Sequence, residues 1–462
     1  MEGRSKQATF DVIVVGARCA GASLAYHLAG AGLSVALLDA VRLPSGQRMS
    51  THLIQPPGMD QLDRLGVGPI VRRLAPALSV ARLSFDEREV QLPYGPGRAA
   101  HCLRRETLDR LLQEAAVAAG AELRPQCRVV DVLRSEDGRV RGVQLQPHGG
   151  SPQQLRGDLV VGADGRHSTI AKLVGAAEYL GYDGPRACYW AYWRRPDSWD
   201  QRSLANFFRR DDAYVVFPTD GELLLIASAP PVARAAGWRG DHTAAYLESV
   251  RSCASIAPHI GDTEPTSEVR GMLKTRYYFR VSSGPGWALV GDAGHHKDFF
   301  AGLGISDALH DAHELSVAIT TPGSRAVESW WRRRDTQRIE TFRWAAELGR
   351  PDPVDALRRL TATRLAGAPE LHPRFGAMFD GRLSPYDLIP PSSALRWSVT
   401  AILHGDPRPL ILMFGVARRR ATARRERRRR ARVLRHCEQR TRQRDEQRAR
   451  MNRTTVGGSV NE

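Results

Sequence analysis

Residues 10–39 read FDVIVVGARCAGASLAYHLAGAGLSVALLD, and this stretch decides the fold. DVIVVG and SVALLD are apolar runs of strand length, separated by a glycine-punctuated segment rich in small residues. Continuous rather than alternating hydrophobicity marks strands buried on both faces, as in parallel sheets covered by helices. The two runs and the helix between them form one βαβ unit, whose turn is Gly16-Ala17-Arg18-Cys19-Ala20-Gly21. Such a turn offers free backbone N–H groups and a helix dipole to the pyrophosphate of a dinucleotide. The pattern is G-x-R-x-x-G. Arg18 replaces the glycine that lets the backbone approach the phosphates, so it must turn away or add a charge-assisted contact. Asp39 closes the second strand 23 residues after Gly16, near the spacing of a carboxylate that binds a ribose hydroxyl. For this segment alone, a structural glycine turn capped by Asp39 is the competing reading.

Two further clusters repeat the arrangement. Asp158-Leu-Val-Val-Gly162-Ala-Asp164-Gly165-Arg166-His167-Ser168 is a strand running into a sharp turn, with Ser168 placed to cap the next helix. Gly291-Asp292-Ala293-Gly294-His295-His296-Lys297-Asp298 follows the apolar WALV and precedes Gly302-Leu303-Gly304 at a helix start. An aspartate after a buried strand can accept from sugar-alcohol hydroxyls, and glycine N–H groups at a helix N-terminus can hold a ring edge that becomes anionic. Between these clusters, Arg105–Gly120 has the periodicity of an amphipathic helix, and Val129–Gln146 reads as a hairpin turning at Asp137-Gly138.

These clusters, in this order and spacing, together with Arg105-x-x-Leu108-x-x-x-Leu112, resemble the FAD-dependent aromatic hydroxylase superfamily. Its members are the single-component flavoprotein monooxygenases related to p-hydroxybenzoate hydroxylase. The resemblance covers about residues 10–350. It implies an α/β chain: a GR2-type FAD-binding Rossmann-like domain with an inserted antiparallel β-sheet substrate domain and a C-terminal helical extension. It implies noncovalent FAD held by Gly16, Arg18, Gly21, Asp39, Arg105, Asp164, Gly165, Asp292, Gly302, Leu303 and Gly304. No second nucleotide-binding βαβ unit is visible, so NAD(P)H is expected as a transient co-substrate. The implied reaction is reduction of the flavin, addition of dioxygen at its C4a carbon and transfer of oxygen to a small aromatic or polycyclic metabolite.

The chain departs from the family at three places: Arg18 stands for a glycine, Ala171 beside Lys172 for an arginine, and Phe299 for the proline before G-x-G. The last departure reshapes the segment fronting the reactive flavin edge, so Phe299 joins His295 and His296 as a catalytic candidate. For either histidine a structural role is the competing reading. Tyr189, Trp190, Tyr192 and Trp193 share one strand in which alternate members face opposite sides. One pair should face the flavin. Tyr189, Tyr192, Trp193 and, on a neighbouring strand, Phe217 are the expected substrate contacts, with core packing the alternative for each.

Alternating aromatic strands from about Leu180 to Arg270 set the inserted lobe apart. The expected FAD domain is therefore discontinuous (1–75, 98–180 and 271–350), with a substrate domain of 76–97 and 181–270, a helical region 351–415 and an arginine-rich tail 416–462. At 462 residues the chain can bury several cores. The six cysteines are widely spaced, with no C-x-x-C pair, and no metal site is expected. Met1–Phe10 is polar and lacks a signal-peptide core, so a cytoplasmic location is expected.

The net charge of +17 sits mainly in the tail. Between Arg418 and Arg453 there are 17 arginines against four acidic residues, a net +13, which leaves +4 for the remainder. The tail could bind RNA or anionic membrane, with apolar Leu410–Val416 at the interface, or be a solvated extension without a partner. Two other function classes compete with oxygen transfer: an FAD-dependent prenyl-chain reductase or halogenase, and a flavin-binding platform with a membrane- or nucleic-acid-binding tail. The W-x-W-x-I-P signature of flavin halogenases is absent.

Overall fold

A computed structural model describes residues 9–44, 50, 52–85, 88–209, 211–321, 326–351 and 356–403, with isolated positions from 414 to 428. Nearly all of the arginine-rich tail expected over 416–462 lies outside the described residues.

The apolar runs become parallel strands. Thr9–Val15 is central, flanked by Gln153–Gly162 and Val35–Leu38, with Trp287–Leu289 and Glu122–Arg124 outside them. In this register Val14 lies beside both Leu37 and Val161. Helices Cys19–Gly30, Arg105–Ala118 and Gly304–Thr320 cover one face, burying Val14, Leu37 and Val161 with Leu24, Leu108, Leu112 and Leu309. The hairpin Cys127–Arg134 and Val140–Pro147 covers the other, over Ile13, Leu38 and Val160. Gly138 adopts φ 79° in its turn, a conformation glycine enters without a Cβ penalty.

The inserted lobe is a seven-stranded sheet in the order Arg270–Met272, Cys188–Arg194, Leu223–Ser228, Asp212–Thr219, Ser203–Arg209, Val80–Phe85 and Arg88–Pro93. All its pairings are antiparallel except that of Ser203–Arg209 with Val80–Phe85. The cuts expected at 180/181 and 270/271 each fall inside a strand. Glu178–Asp183 pairs with Arg276–Arg280 in a separate small sheet that also takes in His295–His296, whereas Arg270–Met272 pairs with Cys188–Trp190. The second part of the lobe's sheet therefore runs from Cys188 to Met272, joined to Val80–Pro93, because non-local pairing decides to which sheet a boundary strand belongs.

Helices Ala356–Ala366, His372–Phe379 and Pro391–Leu403 pack back onto the lobe. Leu365, Leu371, Phe375 and Met378 share a core with Val90, Leu92 and Phe217. A Cβ at Gly376 would come within 2.1 Å of the Tyr94 carbonyl oxygen, so only glycine lets this helix approach so closely. Among the described residues no helix is long and apolar enough to cross a membrane.

Candidate active site

A cleft of about 510 Å³ opens along the ends of the central strands. It gathers Gly16, Arg18, Asp39, Arg105, Asp164, Gly165, Asp292, Gly302 and Gly304 from all three motifs, and also His295, His296 and Phe299. Gly21 and Leu303 stand behind its wall rather than lining it. A Cβ on Gly21 would lie 1.8 Å from the Gly16 carbonyl oxygen, and one on Gly16, at φ 105°, 2.5 Å from that of Ala163. Gly21 is thus demanded by the tightness of the turn itself, and Gly16 by the close approach of Ala163, which follows the neighbouring strand Gln153–Gly162.

The phosphate-type turn is held from two sides. The Ala17 N–H donates to Asp39 Oδ2 at 2.9 Å, and the Val41 N–H to Oδ1 at 3.1 Å. Gln113 Nε2 donates to the Ala17 carbonyl at 2.7 Å. Asp39 therefore fastens the turn while keeping lone pairs for a further donor. Arg18 is the N-cap residue of the Cys19–Gly30 helix and its side chain makes no capping hydrogen bond, so the helix's first N–H groups face the cleft. Arg105 is positioned by Asp109, which accepts from its Nη2 at 2.9 and 3.1 Å and also from Cys19 Sγ at 3.3 Å.

Asp164 is committed locally. It accepts from Ser168 Oγ at 2.5 Å and from the Thr169 and Ile170 N–H groups at 2.6 and 3.1 Å, and burial pushes its carboxyl above the usual carboxylate range. Ser168 in turn accepts from the Ala171 N–H, the cap its position predicted. Beside it Gly165, at φ 76°, has open space where a Cβ would point. The Tyr278 hydroxyl lies 2.8 Å from the carbonyls of both Arg166 and Asp292, tying the second motif to the third. The Asp292 carboxylate remains partly exposed in the cleft, 4.0 Å from His296 Nε2.

His295 is buried and stacked on Phe279 with ring centres 4.8 Å apart. Its ring lies 4.0 Å from Asp307 and 3.7 Å from Asp311, and neither ring nitrogen has a hydrogen-bond partner among the described residues. Burial first, then the Lys297 charge, holds this imidazole well below the usual histidine range, so it stays neutral. Lys297, also buried, sits 2.5 Å from Asp307 and donates to Thr341 Oγ1 at 3.0 Å. Phe299 opens a short turn, stacks on Phe300 at 4.5 Å and fronts the cleft ahead of Gly302 and Gly304. The Gly304–Thr320 helix begins there with no side-chain cap, and Gly304 has open space beside it.

The strand of aromatics divides between two cores. Tyr189 and Trp193 point away from the flavin side. They pack with Tyr246 and Val250 of the helix behind the sheet, and Trp193 Nε1 donates to the Tyr246 hydroxyl at 2.9 Å. These two expected substrate contacts are packing residues. Tyr192 and Phe217 occupy the opposite face, joined by Trp190, which the sequence reading left out of the contact set. His52, also missed, lines the cleft and meets Tyr192 there. Its segment carries no motif, so nothing local marks it. Lys297 and Asp307 were legible only as members of the third loop and the helix after it.

The residues present fit FAD. Two uncapped helix N-termini and Arg105 face one cleft, Asp39 and Asp292 stand at opposite ends of the motif series, and the open sides of Gly165 and Gly304 admit a flat group. A family model described as an FAD binding domain matches residues 9–338. Menaquinone reductase of Mycolicibacterium smegmatis is 26% identical over 335 residues, covering 70% of this chain and 79% of that protein. Digeranylgeranylglycerophospholipid reductase of Methanosarcina mazei is 29% identical over 178 residues, covering 36% of this chain but only 40% of its own length. In the fold, a probable FAD-dependent monooxygenase of Pseudomonas aeruginosa, pqsL, superposes with a TM-score of 0.63 at 21% identity, over 81% of this chain and all of the other. A family match across most of the chain, on a cleft built from the three motifs, makes this protein a member of the FAD-dependent aromatic hydroxylase superfamily and an FAD-dependent oxidoreductase.

Proposed function

We propose that the protein is a monooxygenase that uses NAD(P)H and dioxygen to hydroxylate or oxidise a small aromatic or polycyclic metabolite. The observation that carries this reading is the aromatic wall formed by Trp190, Tyr192 and Phe217 on the face of the lobe sheet turned toward Leu53 and Phe300, next to the cleft. Trp190 and Phe217 are buried and form the dry backing of this wall, and the half-buried Tyr192, which meets His52 of the cleft lining, is the member that would present an aromatic face to a substrate ring.

Bound FAD would supply hydride acceptance and dioxygen activation. The chain's own residues do the rest. The Cys19 helix N-terminus, Arg18 and Arg105 neutralise the phosphates, Asp39 accepts from ribose, Asp292 from the ribityl chain, and the Gly304 helix start stabilises negative charge on the ring edge. His52 and Tyr192 together hold a proton at the Tyr192 oxygen, beside the aromatic wall.

The test combines FAD-loaded protein, NAD(P)H and candidate aromatic metabolites under labelled dioxygen. Label in the product supports the reading. A second reading is favoured by the names of the curated relatives, which include prenyl-chain and menaquinone reductases. Product that forms anaerobically, carries two added hydrogens and no label would establish that reading instead.

A further inference from the structure

The helix Pro391–Leu403 has one packed face and one bare face. Ala394 and Ser398 are buried toward the lobe core, with Trp397 packed against it. Leu395, Val399 and Leu403, spaced i, i+4 and i+8, are exposed at 54%, 49% and 79%. This spacing forms one stripe along a helix. Phe414 is likewise exposed at 68%. The helix PSSALRWSVTAIL contains no acidic residue, and Ser392, Arg396 and Thr400 rim the stripe. In sequence, the apolar Leu410–Val416 follows, and then the 17 arginines of 418–453.

We propose that this helix face and the arginine-rich tail together dock the protein onto an anionic lipid bilayer as a peripheral, non-spanning enzyme. The charge decides among occupants. A tail of net +13 attached to a body of +4 is complementary to a surface dense in phosphate, and each arginine held near an anionic leaflet raises affinity by about fivefold. Electrostatic attraction alone is reversible, and a short apolar insertion supplies the second signal that stable attachment requires. A protein partner fits less well, because three apolar side chains fall far short of the ~20 residues per side of a standard interface. Few aromatics interleave the arginines, which argues against stacking on single-stranded bases. The docking helix belongs to the region packed on the lobe's substrate-side core, so attachment brings that side of the enzyme to the lipid surface.

The experiment is co-sedimentation of the full-length, FAD-loaded protein with vesicles of phosphatidylcholine alone or with phosphatidylglycerol. The expected result is binding to the anionic vesicles only, weakened by salt. Leu395→Asp with Val399→Asp should reduce that binding at least ~fivefold while FAD content stays unchanged, which shows that the fold is intact. Replacing Arg427, Arg428, Arg429 and Arg430 by Glu should reduce it further. The proposal is overturned by equal affinity for the two vesicle types, by absence of binding, or by a stripe variant that binds like the original. It is also overturned if the full-length protein binds an RNA homopolymer more tightly than the anionic vesicles and the stripe substitutions leave that binding unchanged, or if light scattering shows a dimer that the stripe substitutions dissolve. None of these readings depends on turnover, so they stand apart from the fate of the proposed reaction.

Discussion

His52 Nε2 and the Tyr192 hydroxyl lie 2.5 Å apart at the boundary between the FAD cleft and the aromatic wall. His52 is fully buried, holds the left-handed backbone conformation at φ 60°, and has Trp190 edge-on at 5.4 Å. Burial, reinforced by the charges of Arg105, Arg270 and Arg104, depresses its imidazole to about 3. The ring is therefore neutral, and one hydrogen is shared between His52 Nε2 and the Tyr192 oxygen, its donor set by the imidazole tautomer. A non-glycine residue kept at positive φ signals a position that its surroundings over-determine.

Tyr192→Phe should leave FAD bound and the fold intact, because the phenyl ring keeps its packing, yet lower turnover of an oxygenated aromatic substrate by about 10²-fold if the hydroxyl handles a proton. The kcat pH profile of both forms is the measurement. A profile and rate unaltered by the substitution would reduce the pair to packing.

Acid should expose the same histidine. Below the unfolded value of 6.5 the unfolded chain protonates His52 while the folded protein does not until about pH 3. The unfolded state then binds more protons, so stability falls with falling pH across that window, by at most about 1.4 kcal/mol per pH unit from this residue. Urea unfolding of His52→Asn, whose side chain tolerates left-handed φ, should show a shallower loss between pH 6.5 and 4.

Asp292→Ala should release FAD more readily than His295→Ala. The carboxylate is partly exposed in the cleft, while the imidazole is stacked on Phe279 and buried. His295→Ala should instead lower stability by about 2–4 kcal/mol through the cavity it leaves. Flavin retained after gel filtration, with the melting temperature, separates the two. The reverse order would mean that the loop is misassigned.

Lys297→Met should destabilise the fold by about 3–5 kcal/mol, since it leaves the Asp307 carboxylate buried without its 2.5 Å partner. Adding Asp307→Asn should recover much of the loss. A double-mutant cycle in urea measures the coupling, and additive effects would show that Arg338, 3.4 Å from Asp307, suffices alone.

Phe299→Pro should keep FAD, because the turn's hydrogen bond from the Gly302 N–H to the residue 299 carbonyl does not need the Phe299 N–H. It removes a ring stacked at 4.5 Å on Phe300 from the cleft wall. Product formed per NAD(P)H consumed, or substrate preference, should change. If both stay constant, Phe299 is packing.

The sequence by itself determined the strand–turn–helix units and the three motifs, because their causes are local. Continuous apolar runs demand two-sided burial, Gly21 is required by a contact of 1.8 Å inside its own turn, and Ser168 caps the helix it immediately precedes, whereas Gly16 is pressed at 2.5 Å by Ala163 of the distant second motif. Strand parity likewise put Tyr189 and Trp193 on one face and Trp190 and Tyr192 on the other. Which face meets the cleft was decided only by tertiary packing, since parity is indifferent to whether a helix or a cofactor lies above it. The pairing of His52 with Tyr192 spans 140 residues, and Lys297 meets Thr341 across 44. Those contacts exist because separate sheets and helices converge on one cleft, and no spacing within the chain encodes that convergence.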